Sequence, residues 1–388
     1  MSPYSTIPSP SSSPPSPPRS KNLPHLALAS LAFGLGIFTV ALVSSGLSSV
    51  RPLSLEEGRG PTAPSDVCTA GTYSKTTLKP AVSIPFAGLF QDSRGAQKFE
   101  GSDVIFHEGF FYAIADSLWS ILAVSEDLEV FGEKNRMIGH PFREDDESGY
   151  EGIFVVDGVF YVVRESVEDA SGDGEYRAVV EEIVVDGGEG GGYTIMDQCE
   201  TTFTFEGDSK GFEGAVGMKG ADGELYFLGL CEGNHCGEKK EGRDRGHGRV
   251  VVMKKKGADE EEGCKWVDIG TMDIPSSANF MDYSAISISD EGRVAITSQE
   301  DSAMWVGELE GLDADGFFVP GETAFAAEGE VLNFPRDGEC RFIYCNIEGI
   351  HWIGNDRLVA VSDKMKNRGK QDFRCFDFDQ SLHIFSMP

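Results

Sequence analysis

A short phrase recurs five times along this chain, and a recurrence of that kind limits the fold before any other feature does. Its last copy, CNIEGIHWIGNDRLVAVSD at residues 345–363, has two apolar runs, Ile347 to Ile353 and Leu358 to Val361, joined by the turn Gly354-Asn355-Asp356. Short β-branched runs bounded by turn formers predict a β-hairpin. The earlier copies are GSDVIFHEGFFYAIAD from Gly101, YEGIFVVDGVFYVVRE from Tyr150, FEGAVGMKGADGELYFLGL from Phe212 and YSAISISDEGRVAITSQ from Tyr283. Aligned on the first strand, their second positions are Ser102, Glu151, Glu213, Ser284 and Glu348, spaced by 49, 62, 71 and 64 residues. A fixed phrase at blade-sized intervals is how a repeat architecture shows itself in sequence.

Two further strands are predicted after most copies. They are Ile121 to Val124 and a weaker run near Met137; Tyr176 to Val185 and Tyr193 to Phe205; Arg249 to Met253 and Lys265 to Ile274; Ala303 to Leu309 and Gly329 to Phe334. The fifth copy has only Leu382 to Phe385 left before the chain stops at Pro388. Its missing strand can come from Pro80 to Ile84, which closes the ring by pairing the two ends of the domain and removes exposed sheet edges. Four strands per repeat, five repeats and no convincing amphipathic helix predict an all-β, five-bladed β-propeller with four-stranded blades over residues 79–388. Asp186 to Gly192, Glu238 to Gly248 and Gly257 to Gly263 are then expected as surface loops.

The ring gives the repeated second position a place. First strands of propeller blades line the central channel, so Ser102, Glu151, Glu213, Ser284 and Glu348 are expected at one level around it. Three carboxylates brought together without a cation repel, and one of them must take up a proton. A hard divalent cation removes the conflict, and Ca²⁺ accepts six to eight oxygens in flexible geometry. The small residue that follows in four copies (Gly152, Gly214, Ala285, Gly349) suits an axis where backbones approach closely. A plainer reading makes these Glu-Gly pairs turn residues. Seven residues past the hairpin turn stands a second aligned set, Asp116, Glu165, Leu230, Gln299 and Asp363, expected beside the first on the same face. Asp116, Glu165 and Asp363 are the candidate general bases there, and Arg164, Lys364, Lys366 and Arg368 are the candidate counter-charges for an anionic ligand.

The first 65 residues differ from the rest. Residues 1–25 form a Ser/Pro tail that cannot bury enough apolar surface to fold. Residues 26–50 carry no charge, and their apolar core from Leu26 to Val43 has the length of a short membrane span. Arg19 and Lys21 precede it, which orients it as a type II signal anchor followed by a linker, 51–78. A cleaved secretory signal and a plastid transit segment also fit, since residues 1–55 are Ser-rich and lack Asp and Glu. The expected placement is the endomembrane system or cell surface, with plastid or secreted as alternatives. From Asp66 onward 29 basic residues stand against 62 acidic ones, that is 33 less 4 and 64 less 2. That balance excludes nucleic acid as a partner.

All eight cysteines (Cys68, Cys199, Cys231, Cys236, Cys264, Cys340, Cys345, Cys375) follow the apolar segment. An even number in that position suits an oxidising lumen. Their pairing is open. The run Cys231-Glu-Gly-Asn-His235-Cys236 invites a zinc site with His247 and Cys264, against which stands a simple loop disulfide, because none of the established Cys/His spacings is present.

The ordered set Ser, Glu, Glu, Ser, Glu on five first strands resembles the central calcium site of the calcium-activated nucleotidase (apyrase) family, as does GSDVIFHEGFFYAIAD its first blade. Members are five-bladed propellers, some behind a membrane anchor, that hydrolyse nucleoside diphosphates. The resemblance implies that Ser102, Glu151, Glu213, Ser284 and Glu348 are calcium ligands. The family's paired-arginine stretch and its acidic motif ahead of the first blade have no counterpart here. The Glu-Gly-Ile phrase also resembles phytase-like and SdiA-regulated propellers. Two functions follow as expectations. One is a membrane-anchored, lumenal or extracellular calcium-binding propeller, non-catalytic, whose channel face meets a small anionic ligand or a protein. The other is an apyrase-like calcium-dependent phosphohydrolase.

Overall fold

The computed structural model describes residues 75–388 apart from 92–97, 140–146, 169–173, 186–190, 208–209, 238, 260–262, 367–370 and 372. The expected tail, the membrane segment at 26–50, most of the linker, Cys68 and Arg368 therefore lie outside the described residues. Among those described, no helix is long and apolar enough to cross a membrane.

The described chain is all-β. After β1 (Lys79–Pro85) come β2 (Gly101–His107), β3 (Phe110–Ala115), β4 (Leu118–Ser125) and β5 (Arg136–Gly139), which pair in that order. The next antiparallel meander is β6 (Tyr150–Val156), β7 (Val159–Glu168), β8 (Tyr176–Val185) and β9 (Tyr193–Phe205). It is followed by β10 (Phe212–Lys219), β11 (Leu225–Cys231), β12 (Arg249–Asp259) and β13 (Gly263–Asp273). Then come β14 (Ala285–Ile288), β15 (Arg293–Ser298), β16 (Ala303–Glu310), a two-residue β17 (Ala324–Phe325) and β18 (Glu330–Asn333), with β17 and β18 both pairing β16. Last are β19 (Ile347–Ile353), β20 (Arg357–Ser362) and β21 (Ser381–Ser386).

The expected closure is present. β1 adds to β21 antiparallel, with Pro80 opposite Phe385 and Ile84 opposite Leu382, so the final sheet has the order β1-β21-β20-β19. The preceding Thr76–Leu78 already docks on β18, with the Leu78 N–H donating to Asn333 O at 3.0 Å. The loop expected from Gly257 to Gly263 is shorter than that, because β12 and β13 continue pairing out to Asp259 and Gly263. The segment Glu238 to Gly248 carries a four-residue helix, α1 (Lys239–Gly242).

The sheets are curled and their first strands are neighbours in a closed circuit: β2 beside β6, β6 beside β10, β10 beside β14, β14 beside β19, and β19 beside β2. The apolar residues of each strand fill the spaces between consecutive sheets. Tyr150, Ile153 and Phe160 pack with Ile105 and Ile121 in one such space, Phe154 and Tyr161 with Phe227 and Trp266 in the next, and Leu228 and Val250 with Ile296 and Trp305 in a third. Met304 and Phe334 pack with Trp352 and Phe385, and Leu122 and Val124 with Val361 and Leu382, in the remaining two. This arrangement is propeller-like: the cores lie between sheets, and the axis is left to whatever the first strands present.

Disulfides reinforce the periphery. Cys199 on β9 is bonded to Cys264 on β13, beside the parallel contact of Glu200 with Lys265 that joins two meanders at their outer strands. A bridge closing a loop of this length contributes about 4 kcal/mol by constraining the unfolded chain. Cys231 pairs with Cys236 and Cys345 with Cys375. Cys340 is also disulfide-bonded.

Candidate functional site

The five aligned positions share one backbone irregularity. Pairing of β2 with β3 skips Ser102, since Gly101 faces Ala115 and Asp103 faces Ile114. Pairing of β6 with β7 skips Glu151, and that of β19 with β20 skips Glu348. In β10 the gap falls between Phe212 and Ala215 and contains Glu213. In the fourth meander Ser284 sits just ahead of β14, its N–H bonded at 2.9 Å to the oxygen of Thr297, the residue that Ala285 also faces. A β-bulge leaves one residue out of the ladder and re-aims its side chain, and bulges concentrate beside functional sites. The same device has thus been placed on each inner strand, at the residue that carries oxygen.

The small residues after the bulges have the expected cause. A Cβ on Gly349 would lie 2.5 Å from the Asp103 Cα, one on Gly152 2.8 Å from the Ala215 Cβ, and one on Gly214 3.0 Å from the Ile286 nitrogen. Neighbouring first strands touch backbone to backbone there, which fixes how far the oxygen-bearing side chains stand from the axis.

Glu151 is buried and Glu213 and Glu348 are half-buried. Burial drives the Glu151 carboxyl well above the usual carboxylate range, and Glu213, Glu165, Glu348 and Asp116 push it further. Glu213 is raised by burial, Glu232 and Glu165, against the pull of Lys210 and Lys366. Glu348 is raised by burial and Asp363, with Lys366 opposing, and by Glu213 and Asp116. Among the described residues, none of these three carboxylates has a hydrogen-bond or ion-pair partner. The two serines are engaged but keep lone pairs. The Ser102 hydroxyl donates to Glu100 O at 3.4 Å and accepts from the Asp116 N–H at 3.0 Å. The Ser284 hydroxyl donates to Ile347 O at 2.8 Å and meets Thr297 Oγ1 at 3.0 Å.

The second aligned set lies beside the first, with one exception. Burial, Asp363 and Glu147 push Asp116 up to about 7, and its buried Oδ1 has no hydrogen-bond partner. Asp363 rises to about 6, mainly by burial, against its bond from the Lys364 N–H and the charge of Lys366. Glu165 packs against Gly149 and Gly211 and adds its charge to Glu151 and Glu213. Gln299 accepts from Lys366 Nζ at 2.7 Å. Leu230 instead fills the core between the third and fourth meanders.

The four expected counter-charges separate. Lys366 stands at the site. Lys364 is paired with Glu100. The Arg164 guanidinium is committed elsewhere, 4.8 Å over the Trp119 ring, 3.5 Å from Glu181 and donating through Nε to Ser148 O at 3.1 Å. It lines, with Asp116, Glu147 and Glu165, a cavity of about 290 Å³. Arg368 is outside the described residues. Sequence reasoning missed Lys98, which bonds both Glu100 and Glu147 at 2.6 Å, and the Lys210–Glu232 pair at 3.1 Å. Extending the alignment two residues outward would have found the polar positions Glu100, Asp282 and Asn346. Asp282, buried beside Ser298, is pushed up to about 7.

A larger cavity, about 460 Å³, opens on the same axis along the later residues of the first strands, from Asp103 through His351 and Trp352 to Asn355. His351 is held down to about 4 by burial. This space carries fewer acids than the bulge level and is not where the charges converge. The Cys-based zinc site does not form, because Cys231, Cys236 and Cys264 are all consumed in disulfides.

No protein-family model matches the chain, and no curated protein sequence does. Solved structures with a similar overall path include the glutaminyl cyclase of Myxococcus xanthus, at 10% identity and a TM-score of 0.42, covering 80% of this chain and 97% of that one. A streptogramin B lyase matches at 7% identity and 0.32, covering 79% and 98%. A catalytically inactive virginiamycin B lyase from Staphylococcus aureus matches at 9% and 0.34, covering 76% and 97%. Likenesses this weak add nothing to the reading of the site, and they confirm neither an apyrase nor a phytase-like relationship.

Proposed function

We propose that the chain is a five-bladed β-propeller that binds Ca²⁺ on its axis through Glu151, Glu213 and Glu348, with Ser102 and Ser284 completing the ring. It presents that face, without catalysis, to a small anionic ligand or a protein partner. The observation that carries this reading is the set of five oxygen-bearing residues at equivalent bulges, three of them wholly or partly buried carboxylates given no protein donor in exchange. Such groups either hold protons or meet a cation from outside. The donor chemistry suits a hard ion, since the ring consists of carboxylates and hydroxyls. Among the described residues, no three of these carboxylates bring oxygens within 4.8 Å of one another. An ion at the centre would therefore keep water between its protein ligands, as Ca²⁺ does and Zn²⁺ does not. The disulfides favour a lumenal or extracellular placement behind the anchor at 26–50.

A second reading has one observation in its favour. Burial and the neighbouring acids push Asp116 up to about 7 beside the 290 Å³ cavity, in the range that suits a general base. On that reading the chain is a calcium-dependent phosphohydrolase of apyrase-like type, with Asp116, Glu165 or Asp363 as base and Lys366 opposite the phosphate.

One experiment addresses both. The purified chain is titrated with CaCl₂ while its melting temperature and phosphate release from nucleoside diphosphates are followed. A hundredfold excess over Kd is expected to raise Tm by about 5 °C. Glu213→Gln is expected to abolish that rise and, with no calcium present, to leave Tm equal or higher. An unchanged Tm with calcium removes the ion from the proposal. Calcium-dependent phosphate release that Asp116→Asn abolishes selects the hydrolase.

A further inference from the structure

We infer that His235, Asp244 and His247 form a second metal site, for a borderline divalent transition cation and Zn²⁺ foremost, on the loop between β11 and β12. The His235 Nε2 lies 3.2 Å from Asp244 Oδ2, and the His247 Nε2 lies 3.6 Å from the same oxygen. Adjacent ligands of a tetrahedral ion with bonds of about 2.0–2.1 Å stand about 3.3 Å apart. The three ligand atoms all lie within 4.8 Å of one another, a spread that one ion can gather once the imidazoles turn toward it.

The loop is built to hold the histidines in that relation. The His235 N–H donates to His247 O at 2.7 Å, and the His247 N–H donates to Asn234 Oδ1 at 2.7 Å, so two bonds clasp the two residues side by side. Asn234 is fully buried, and its Nδ2 holds Gly242 O and Met281 O at 3.0 Å each, which anchors the clasp to the body of the domain. His235 occupies the left-handed region at φ 58°, which is uncommon for a residue with a side chain. The Cys231–Cys236 disulfide closes over this turn. The imidazoles stack with centroids 4.4 Å apart and planes 20° from parallel. Neutral imidazole is the form that binds metal.

Two imidazoles and one carboxylate suit Zn²⁺, Cu²⁺ or Ni²⁺ rather than Ca²⁺. The side chains of His247 and Asp244 are 52% and 65% exposed, so the remaining coordination position faces solvent and is open to water or to a donor from a partner. The proposed site keeps the two histidines of the sequence motif that suggested zinc. The cysteines are taken by disulfides, and Asp244, which no spacing rule pointed to, takes their place. The site shares no residue with the axial ring, so it stands or falls apart from the proposed calcium site.

The test uses the full chain with its disulfides intact and zinc-free at the start. Titration with ZnCl₂ against a chromophoric chelator is expected to find one ion per chain, held in the micromolar range, with affinity falling at least about tenfold in His247→Gln and in Asp244→Asn. Glu213→Gln is expected to leave zinc affinity unchanged. Co²⁺ in place of Zn²⁺ is expected to give the absorption of a nitrogen–oxygen site with no thiolate band. Unaltered melting temperatures of the two loop variants without metal establish that they are folded. The inference is overturned if zinc affinity survives both loop substitutions, if it disappears with Glu213→Gln, or if the three residues take up no metal and act only as a hydrogen-bonded His-Asp-His cluster.

Discussion

Asp103 and the three glutamates are carboxylates on inner strands of different meanders, one position apart in the repeat, and the fold treats them in opposite ways. Asp103 Oδ1 accepts from the Val104 N–H at 2.8 Å, and its Oδ2 accepts from the Ile153 N–H at 2.9 Å on the neighbouring β6. The Ile350 N–H of β19 supports it from the other side. Burial still raises its pKa, but three backbone donors oppose that rise. It works as a clamp across three first strands. Glu151, Glu213 and Glu348 lie on bulges that turn them away from backbone donors, and their nearest influences are other acids. The difference separates a structural carboxylate from a functional one more surely than burial does: the first is satisfied by the protein, and the second is left for something outside it.

Removing the satisfied carboxylate should break the molecule, and this is the largest effect expected. Asp103→Ala leaves up to three buried N–H groups without acceptors, and each such orphan costs about 1–3 kcal/mol. The expected loss is about 4 kcal/mol in denaturant unfolding, with Asp103→Asn intermediate because it keeps one acceptor oxygen. A variant within 1 kcal/mol of the parent, on the scale of ordinary surface changes, would erase the distinction drawn between Asp103 and the ring.

Next in size is the spacing between strands that holds both sets in place. Gly349→Ala puts a Cβ 2.5 Å from the Asp103 Cα and 2.8 Å from its carbonyl carbon, contacts that only a backbone shift can relieve. Overpacking of this kind costs about 1–3 kcal/mol. The expected result is a lower denaturation midpoint at unchanged m-value together with weaker calcium stabilisation, because β19 carries Glu348 one residue earlier. Loss of stability with calcium affinity intact would show that the spacing serves packing alone.

How much of this could be read from the sequence follows from the range of the interactions involved. The hairpins and their turn residues are local, and the strands expected at Tyr176 to Val185 and Tyr193 to Phe205 have the observed bounds. Even the β1–β21 pairing was legible, because a count of strands left one missing at one end and one spare at the other. The bulges were not, since a bulge is a mismatch between two strands and only the small residue after it leaves a trace. Leu230 was aligned into the second ring by counting, yet its side chain had an apolar core to enter. Arg164 does line the cavity beside Glu165, but its guanidinium is already held by Trp119, Glu181 and the Ser148 carbonyl, contacts that sequence does not show. Lys98, Glu100 and Glu232 lie just outside the repeated phrase and meet the site only through the closure of the ring.

The smallest expected effect is on pH dependence, and its response to calcium distinguishes the two kinds of carboxylate, since burial raises both. Groups at the ring are raised from their ordinary value near 4, Asp363 to about 6 and Asp116 to about 7. In that window the folded state holds more protons than the unfolded chain, so the stabilisation is complete at low pH and is lost as pH rises through about 6 and then 7. Without divalent cation, Tm is expected to fall by a few degrees between pH 5 and pH 8. Calcium replaces the protons, so saturating calcium is expected to flatten or reverse that slope, and its binding at pH 6 should release protons measurable in a weakly buffered solution. Glu213→Gln removes one acid from the cluster and is expected to shrink both effects. A Tm that is level across this range without calcium would mean that the ring carries no electrostatic load.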